Sequence, residues 1–247
     1  MSSPKKQPCP ICRKGLKNPT SQCASGHKVC NDCLTTPSTL CPICNAWITK
    51  ITPPTVKCKY SNRSCKYVMT EEESYIHEME CRFRDFICEG HRFGCWNCPW
   101  AGRYDQIQDH YKKDHEDSTG MLFKTEAMLK IDLKENFRSI SLIDFHEGQN
   151  FFWFKCRVDK KRKMFYSTVQ LIGTRKLAGK YCYEFEIFKG PVRKIKVTEI
   201  CDSDAMDAER IFDNENCVAI SFETLKNYLD ENGVMRFRFR IMSIKKN

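Results

Sequence analysis

Seventeen cysteines and six histidines are spread along this chain of 247 residues, and most of them fall into ordered groups. The first eight candidates for chemistry are Cys9, Cys12, Cys23, His27, Cys30, Cys33, Cys41 and Cys44, separated by two, ten, three, two, two, seven and two residues. A pair spaced this closely lets one tight turn aim two side chains at one ion. Zinc takes four thiolate or imidazole donors tetrahedrally, so eight donors imply two ions. A second set follows: Cys58, Cys65, His77 and Cys81, then Cys88, Cys98, His110 and His115. Its two copies share an eleven-residue gap between the second cysteine and the first histidine, and each supplies donors for one ion. Four Zn2+ ions are therefore expected, each enclosed by protein donors and structural rather than catalytic. Cys95-Trp-Asn-Cys98 is itself a closely spaced pair, so Cys95 competes with Cys88 for the fourth site; the spacing favours Cys88 with Cys98.

The elements that must position these ligands differ along the chain. Hydrophobic residues make up 41% of the sequence, but large ones are few before Cys58 and dense after Met121. An N-terminal part that buries little apolar surface needs metal to hold it. The start, MSSPKKQPC, has no apolar core, and no run approaches the roughly 18 apolar residues of a membrane span, so neither secretion nor membrane insertion is expected. In a reducing, cytoplasmic setting, clustered thiols read as zinc ligands rather than disulfides. Asp159-Lys-Lys-Arg-Lys163 reads as a hairpin turn, or as a nuclear-import signal that would add the nucleus. The formal charge of +10 falls to about +6 once twelve ligand thiols are counted as thiolates on four zinc ions, a mildly basic balance that does not by itself argue for nucleic acid.

The expected organisation is a disordered tip (1–8), a double-zinc unit (9–46) with short strands and one short helix, a linker (47–57) stiffened by Ile51-Thr-Pro-Pro-Thr, tandem fingers (58–116) and a β-rich domain (117–247). Thr70 and Glu73 have the spacing of a capping box, predicting a helix that carries His77 and Cys81 one turn apart. His110 and His115 are expected near the end of a comparable helix. Phe151-Phe-Trp-Phe-Lys-Cys-Arg-Val158, Met164–Gly173, Lys180–Lys189 and Val192–Glu199 read as strands, and Arg236-Phe-Arg-Phe-Arg-Ile241 alternates as a strand with one wet face. One helix is predicted at Phe222–Glu231, ended by Asn232-Gly233. Many strands and few helices predict an antiparallel β-sandwich. Cys156, Cys182, Cys201 and Cys217 fall in or near these strands and read as small core residues.

The chain resembles the seven-in-absentia family of RING ubiquitin ligases. The resemblance rests on Gln22-Cys23-Ala-Ser-Gly-His27-Lys-Val-Cys30-Asn-Asp-Cys33, on the repeated eleven-residue gap, and on Val169-Gln-Leu-Ile-Gly-Thr-Arg-Lys176. It implies a small zinc-bound RING and two zinc fingers followed by an all-β TRAF-like antiparallel sandwich that dimerises and binds peptide motifs. In a RING the metals interleave: Cys9, Cys12, Cys30 and Cys33 hold one, and Cys23, His27, Cys41 and Cys44 the other. The implied activity is that of an E3 ubiquitin transferase with no covalent intermediate on this chain. It docks a ubiquitin-charged conjugating enzyme and positions a substrate, so acceleration comes from proximity, and the marked substrate goes to proteasomal degradation. Ile11, Leu40 and Pro42 should form the docking patch; for Ile11 and Ile43 the alternative is that they merely cover the zinc sites. Wider RING proteins often place Arg or Lys after the last ligand, where this chain has Asn45, which lacks that charge and reach. A non-catalytic dimeric scaffold is the competing reading. Alignment by resemblance brings Met121, Ile143, Phe145 and Arg238 to the substrate groove, along an exposed sheet edge; core roles for Met121 and Phe145 stand beside that.

Zinc fingers also invite a nucleic-acid reading. The first finger's helix carries Glu71, Glu72, Glu73, Glu78 and Glu80, which would repel phosphate. Protein partners are expected instead: a conjugating enzyme, ubiquitin and substrates.

Overall fold

The computed structural model describes residues 8–16, 20–30, 33, 40–50, 55–118, 121–122, 124–146 and 149–244. Most of the expected tip, the linker prolines Pro53 and Pro54, and residues 17–19, 31–32 and 34–39 of the double-zinc unit lie outside them. The chain divides into two units, residues 1–57 with 68–73 and residues 58–67 with 74–247.

The first unit is built from short strands. β1 (Thr20–Cys23) lies between β2 (Lys28–Cys30) and β3 (Ile48–Lys50), antiparallel to both. Its buried cluster is Cys9, Cys23, Val29, Cys30, Cys41 and Ile48, so among the described residues thiols outnumber hydrocarbon side chains. So little buried hydrocarbon cannot offset chain entropy without metal. β4 (Thr55–Lys57) pairs antiparallel with β5 (Val68–Thr70).

α1 (Glu71–Glu80) starts on the expected box: Thr70 N–H donates to Glu73 Oε2 at 2.9 Å, and Glu73 N–H donates to Thr70 Oγ1 at 3.3 Å. In the second unit, β6 (Phe86–Ile87) pairs with β7 (Ala101–Gly102), with the short α2 (Glu89–Arg92) between them and α3 (Ile107–Asp114) after them.

The sandwich follows. Its strands are β8 (Met121–Leu122), β9 (Lys124–Lys130), β10 (Phe137–Phe145), β11 (Asn150–Asp159), β12 (Met164–Leu171), β13 (Tyr181–Lys189), β14 (Arg193–Ile200), β15 (Asp202–Ser203), β16 (Val218–Ser221) and β17 (Val234–Ser243). Short helices interrupt them: α4 (Arg175–Ala178), α5 (Ala208–Asp213) and α6 (Phe222–Leu225). One sheet runs β15-β12-β11-β10-β8 with β16 also on β12; the other runs β14-β13-β17-β9. Pairing is antiparallel except at β8–β10 and β12–β15.

Between the sheets, Phe154 stacks at 5.5 Å on both Phe237 and Phe239, inside a core that includes Phe152, Val169, Phe185 and Ile187. The expected helix at Phe222–Glu231 is shorter. α6 stops at Leu225, Tyr228 N–H turns back to the Leu225 carbonyl at 2.8 Å, and Leu229 bridges to Met235 as the chain reverses into β17. The basic run after Asp159 is the turn of the β11–β12 hairpin, with Arg162 N–H donating to Asp159 Oδ1 at 2.9 Å.

Candidate metal centres and docking surface

Each zinc candidate begins as a backbone turn. In the first unit the sequence Cys-Pro-Ile-Cys occurs twice, and both copies fold alike. Arg13 N–H donates to the Cys9 carbonyl at 2.8 Å and Asn45 N–H to the Cys41 carbonyl at 2.9 Å, with Arg13 (φ 58°) and Asn45 (φ 54°) both left-handed. Such turns point backbone N–H groups at the sulfurs. Cys30 N–H lies 3.5 Å from Cys9 Sγ. Burial raises the Cys9 thiol pKa, but the N–H groups of Cys30, Cys12 and Ile11 outweigh it and bring it to about 6. The Ser25 hydroxyl and the Ala46 N–H bring Cys44 to about 6 as well. Thiolates so favoured suit a cation.

The donor atoms gather in four groups: Cys9, Cys12, Cys30 and Cys33; Cys23, His27, Cys41 and Cys44; Cys58, Cys65, His77 and Cys81; Cys88, Cys98, His110 and His115. Within each, all four ligand atoms lie within 4.8 Å of one another. Zn–S bonds of about 2.3 Å in a tetrahedron put neighbouring sulfurs about 3.8 Å apart. Cys9–Cys33 is 3.9 Å, Cys23–Cys44 3.6 Å and Cys58–Cys81 3.9 Å. Sulfur–imidazole edges are similar: Cys23 to His27 Nδ1 3.5 Å, Cys65 to His77 Nε2 3.4 Å, Cys98 to His110 Nε2 3.7 Å and Cys88 to His115 Nε2 3.3 Å. The donor set and its size fit Zn2+. In the first unit the first and third pairs share one group and the second and fourth the other, which pins three distant segments around β1.

Support around the fourth group is specific. His110 Nδ1 donates to Asp114 Oδ2 at 2.8 Å, which leaves Nε2 for the metal, and Trp100 stacks flat on the ring at 4.2 Å. Cys95 is outside this group: it is exposed, left-handed at φ 59°, and its Sγ lies 3.7 Å from Arg138 Nη1. Cys156, Cys201 and Cys217 are buried and Cys182 partly so, and among the described residues none joins a metal group.

The first unit displays apolar side chains that its small core does not absorb. Ile11 is 44% exposed, Leu40 45%, Ile43 55% and Trp47 66%, and Pro42 and Asn45 are exposed beside them in sequence. Leu40 and Trp47 face each other across a β-bridge. Sequence reasoning missed Trp47. The signal was available, since a tryptophan three residues past the last ligand has little core to enter.

The four expected substrate residues are distributed differently. Met121 pairs with Ile143 across β8–β10 and is half-buried. Ile143 and Phe145 are 0% and 5% exposed, on the core side of the first sheet. Arg238 projects instead from the solvent face of the second sheet, 3.4 Å from both Glu126 and Glu186. The first three are brought together; Arg238 stands on the other sheet because β17 pairs with β13 and β9, and alternation along β17 turns it outward.

With this geometry established, comparison with known proteins identifies the class. Residues 9–44 match the RING finger of the E3 ubiquitin-protein ligases sina/sinah, residues 52–127 the Sina zinc finger, and residues 144–239 the Sina TRAF-like domain. The chain is a RING and zinc-finger protein ending in a β-rich TRAF-like domain. By these three domains in this order, it belongs to the seven-in-absentia family. It is similar to E3 ubiquitin-protein ligase siah-1 of Caenorhabditis briggsae, 30% identical over 201 residues covering 72% of this chain and 44% of the relative. It is also similar to siah2 of Xenopus laevis and sina of Drosophila melanogaster, each named an E3 ubiquitin-protein ligase; both are 28% identical over 72% of this chain and 60% of the relative. The chain spans about half the length of the curated relatives it matches.

Proposed function

We propose that this chain is a RING-type ubiquitin-protein ligase. Its four metal groups each hold one structural zinc, which supplies no reacting position; the ion's part is to fix the turns. The observation that carries the reading is the pair of interleaved four-donor groups beneath exposed Ile11, Leu40 and Trp47. That surface docks a ubiquitin-charged conjugating enzyme, with Pro42 and Asn45 beside it. The substrate's extended segment is held at the β8 edge of the first sheet, next to Met121, with Ile143 and Phe145 behind it. Rate then comes from holding the acceptor lysine near the thioester. Resemblance supports the domain limits of 9–46, 58–116 and 117–247, pairing of the sandwich with a second copy and proteasomal fate of the substrate. The clustered thiols support work in the cytoplasm, and the nucleus is added only if the basic turn after Asp159 also serves as an import signal.

Mixing the purified chain with ubiquitin, activating enzyme, several conjugating enzymes and ATP should give zinc-dependent self-ubiquitination. Ile11→Ala should cut it at least about tenfold, as expected for an interface anchor. No chains with any conjugating enzyme would sink the reading.

One observation favours a non-catalytic scaffold. The residue after the last ligand is exposed Asn45, without the cation that links enzyme to ubiquitin in wider RING proteins. Arg13 adopts the same left-handed backbone in the first turn, so Asn45→Arg is conformationally admissible. A rise from near-zero activity in Asn45→Arg favours the scaffold; substantial activity in the parent chain excludes it.

A further inference from the structure

A cleft of about 440 Å3 lies between parts of the first finger and the sandwich, and all of its lining residues belong to the second unit. Its walls carry three cations, Arg82, Lys176 and Lys180, the rings of Tyr67, Phe83 and Tyr104, and three donors of the third metal group, Cys65, His77 and Cys81. With Zn2+ bound, the three thiolates of that group leave about one net negative charge, fewer than the three cations. The single carboxylate on its wall is already engaged: Arg175 Nε stands 2.9 Å from Glu80 Oε1, and Arg175 N–H donates to Oε2 at 3.0 Å. Arg82 is fixed over the Tyr104 ring at 4.0 Å and forms no ion pair among the described residues; neither do Lys176 and Lys180. Tyr67 and Phe83 remain 62% and 37% exposed.

A second surface cavity, of about 480 Å3 on the solvent face of the second sheet, is also charged, but three of its four cations, Lys196, Arg238 and Arg240, are paired with carboxylates. There Glu184 meets Arg240 at 2.6 Å, and Arg238 meets Glu186 and Glu126, each at 3.4 Å. An anion entering that cavity would meet three carboxylates, Glu126, Glu184 and Glu186. An anion entering the finger–sandwich cleft would meet three cations that form no ion pair among the described residues, and cations beside aromatic surface are a usual means of holding acidic or phosphorylated peptide side chains.

We propose that this cleft is a second peptide-binding site, taking an anionic side chain of an extended segment with an apolar neighbour against Tyr67 and Phe83. The inference adds a subsite to the substrate-holding half of the function proposed above. It is read by binding alone, so its failure leaves the self-ubiquitination test intact, and loss of ligase activity would leave this binding intact.

The test uses the full zinc-loaded chain and three fluorescein-labelled octapeptides that differ at two positions beside a phenylalanine: two glutamates, two phosphoserines or two glutamines. Anisotropy should show one of the anionic peptides binding at least about tenfold tighter than the glutamine peptide, with affinity falling as salt rises. Lys176→Glu combined with Lys180→Glu should weaken it by about tenfold or more at unchanged zinc content. Which anion binds tighter separates a constitutively acidic partner from a phosphorylated one. Should the double variant misfold, protection of Lys176 and Lys180 from acetylation by the anionic peptide, read by mass spectrometry, takes its place. Equal binding of the glutamine peptide, unchanged binding by the folded double variant, absent protection, or no anionic binding up to about 1 mM would each overturn the proposal.

Discussion

The two sheets of the sandwich start from similar apolar strands and end in opposite environments. The second sheet is packed on one face and wet on the other. β17 alternates buried and exposed residues, with Phe237, Phe239 and Ile241 inward and Arg236, Arg238 and Arg240 outward. The first sheet is buried on both faces along its central strands, β11 and β12. In β11, Phe152, Phe154, Cys156 and Val158 face the core between the sheets. Phe151 and Trp153 face the second finger, where Tyr104 and Tyr111 cover them at 5.4 Å and 5.0 Å. Further along that outer face Lys155 and Arg157 replace the aromatics, and each meets carboxylates: Lys155 Nζ lies 2.5 Å from Glu89 Oε1, and Arg157 pairs with Glu209 and Asp213. A zinc finger thus serves the first sheet as a third layer. The finger is part of the domain that would hold a substrate, rather than an appendage to it.

That contrast is broken most severely at Lys155. Its side chain is 1% exposed, shared between Glu89 and Gln170, the latter at 2.7 Å. Lys155→Met should leave the buried Glu89 carboxylate with only the part-exposed Arg92, 3.5 Å away, and lower unfolding free energy by about 3 kcal/mol. Adding Glu89→Leu should recover much of the loss, since an apolar pair of similar volume costs far less. Lys196→Met, on the wet face and 47% exposed, should cost under about 0.5 kcal/mol. Urea unfolding followed by tryptophan fluorescence reads all three; similar losses at Lys155 and Lys196 would erase the distinction between the sheets.

Part of this contrast is legible in the sequence. Strict alternation in Arg236–Ile241 gives one wet face, and a run from Phe151 to Val158 that is apolar at six of eight positions, without alternation, signals a strand buried on both sides. The ligand groups are legible too, because four donors at fixed spacing leave few ways to close a tetrahedron. What is not legible is the identity of the cover. Lys155 inside an apolar run looks like an error in the pattern until Glu89, 66 positions earlier, is seen beside it. The outward placement of Arg238 is readable from alternation, whereas alignment by resemblance grouped it with Met121, Ile143 and Phe145. α5 was missed because its capping residue Asp207 precedes only six helical residues, too few for a periodic signal.

A smaller probe of the third layer is the Tyr111 hydroxyl. Tyr111 is fully buried, and its oxygen accepts from Gly90 N–H at 3.0 Å. Tyr111→Phe keeps the ring against Trp153 but strands that N–H in a dry interface, which should cost about 1–2 kcal/mol. The same substitution at Tyr75, 72% exposed on the first finger's helix, should be silent within about 0.5 kcal/mol. Equal effects at the two tyrosines would mean that the second finger is no more deeply embedded than the first.

The smallest effect belongs to the wet face, and it carries a pH signature. Glu184 on β13 accepts from Arg240 Nε at 2.6 Å, with Lys196 Nζ at 3.4 Å. The Arg240 hydrogen bond, against a smaller opposing effect of burial, holds the Glu184 carboxyl below its ordinary value of 4.5. A carboxyl whose folded pKa is depressed adds stability that is fully present above its unfolded pKa and is lost as pH falls through the folded value. Arg240→Gln should therefore destabilise the chain at pH 7 by no more than about 1 kcal/mol, because both side chains touch solvent and Lys196 remains. Its difference from the parent should shrink toward zero as pH drops below 4.5, whatever acid does to the zinc groups, since those are common to both proteins. Paired urea unfolding at pH 7 and at the lowest pH where both stay folded checks the sign. A difference that stays constant or widens in acid would mean that Arg240 acts by packing its methylenes on the sheet rather than by its charge.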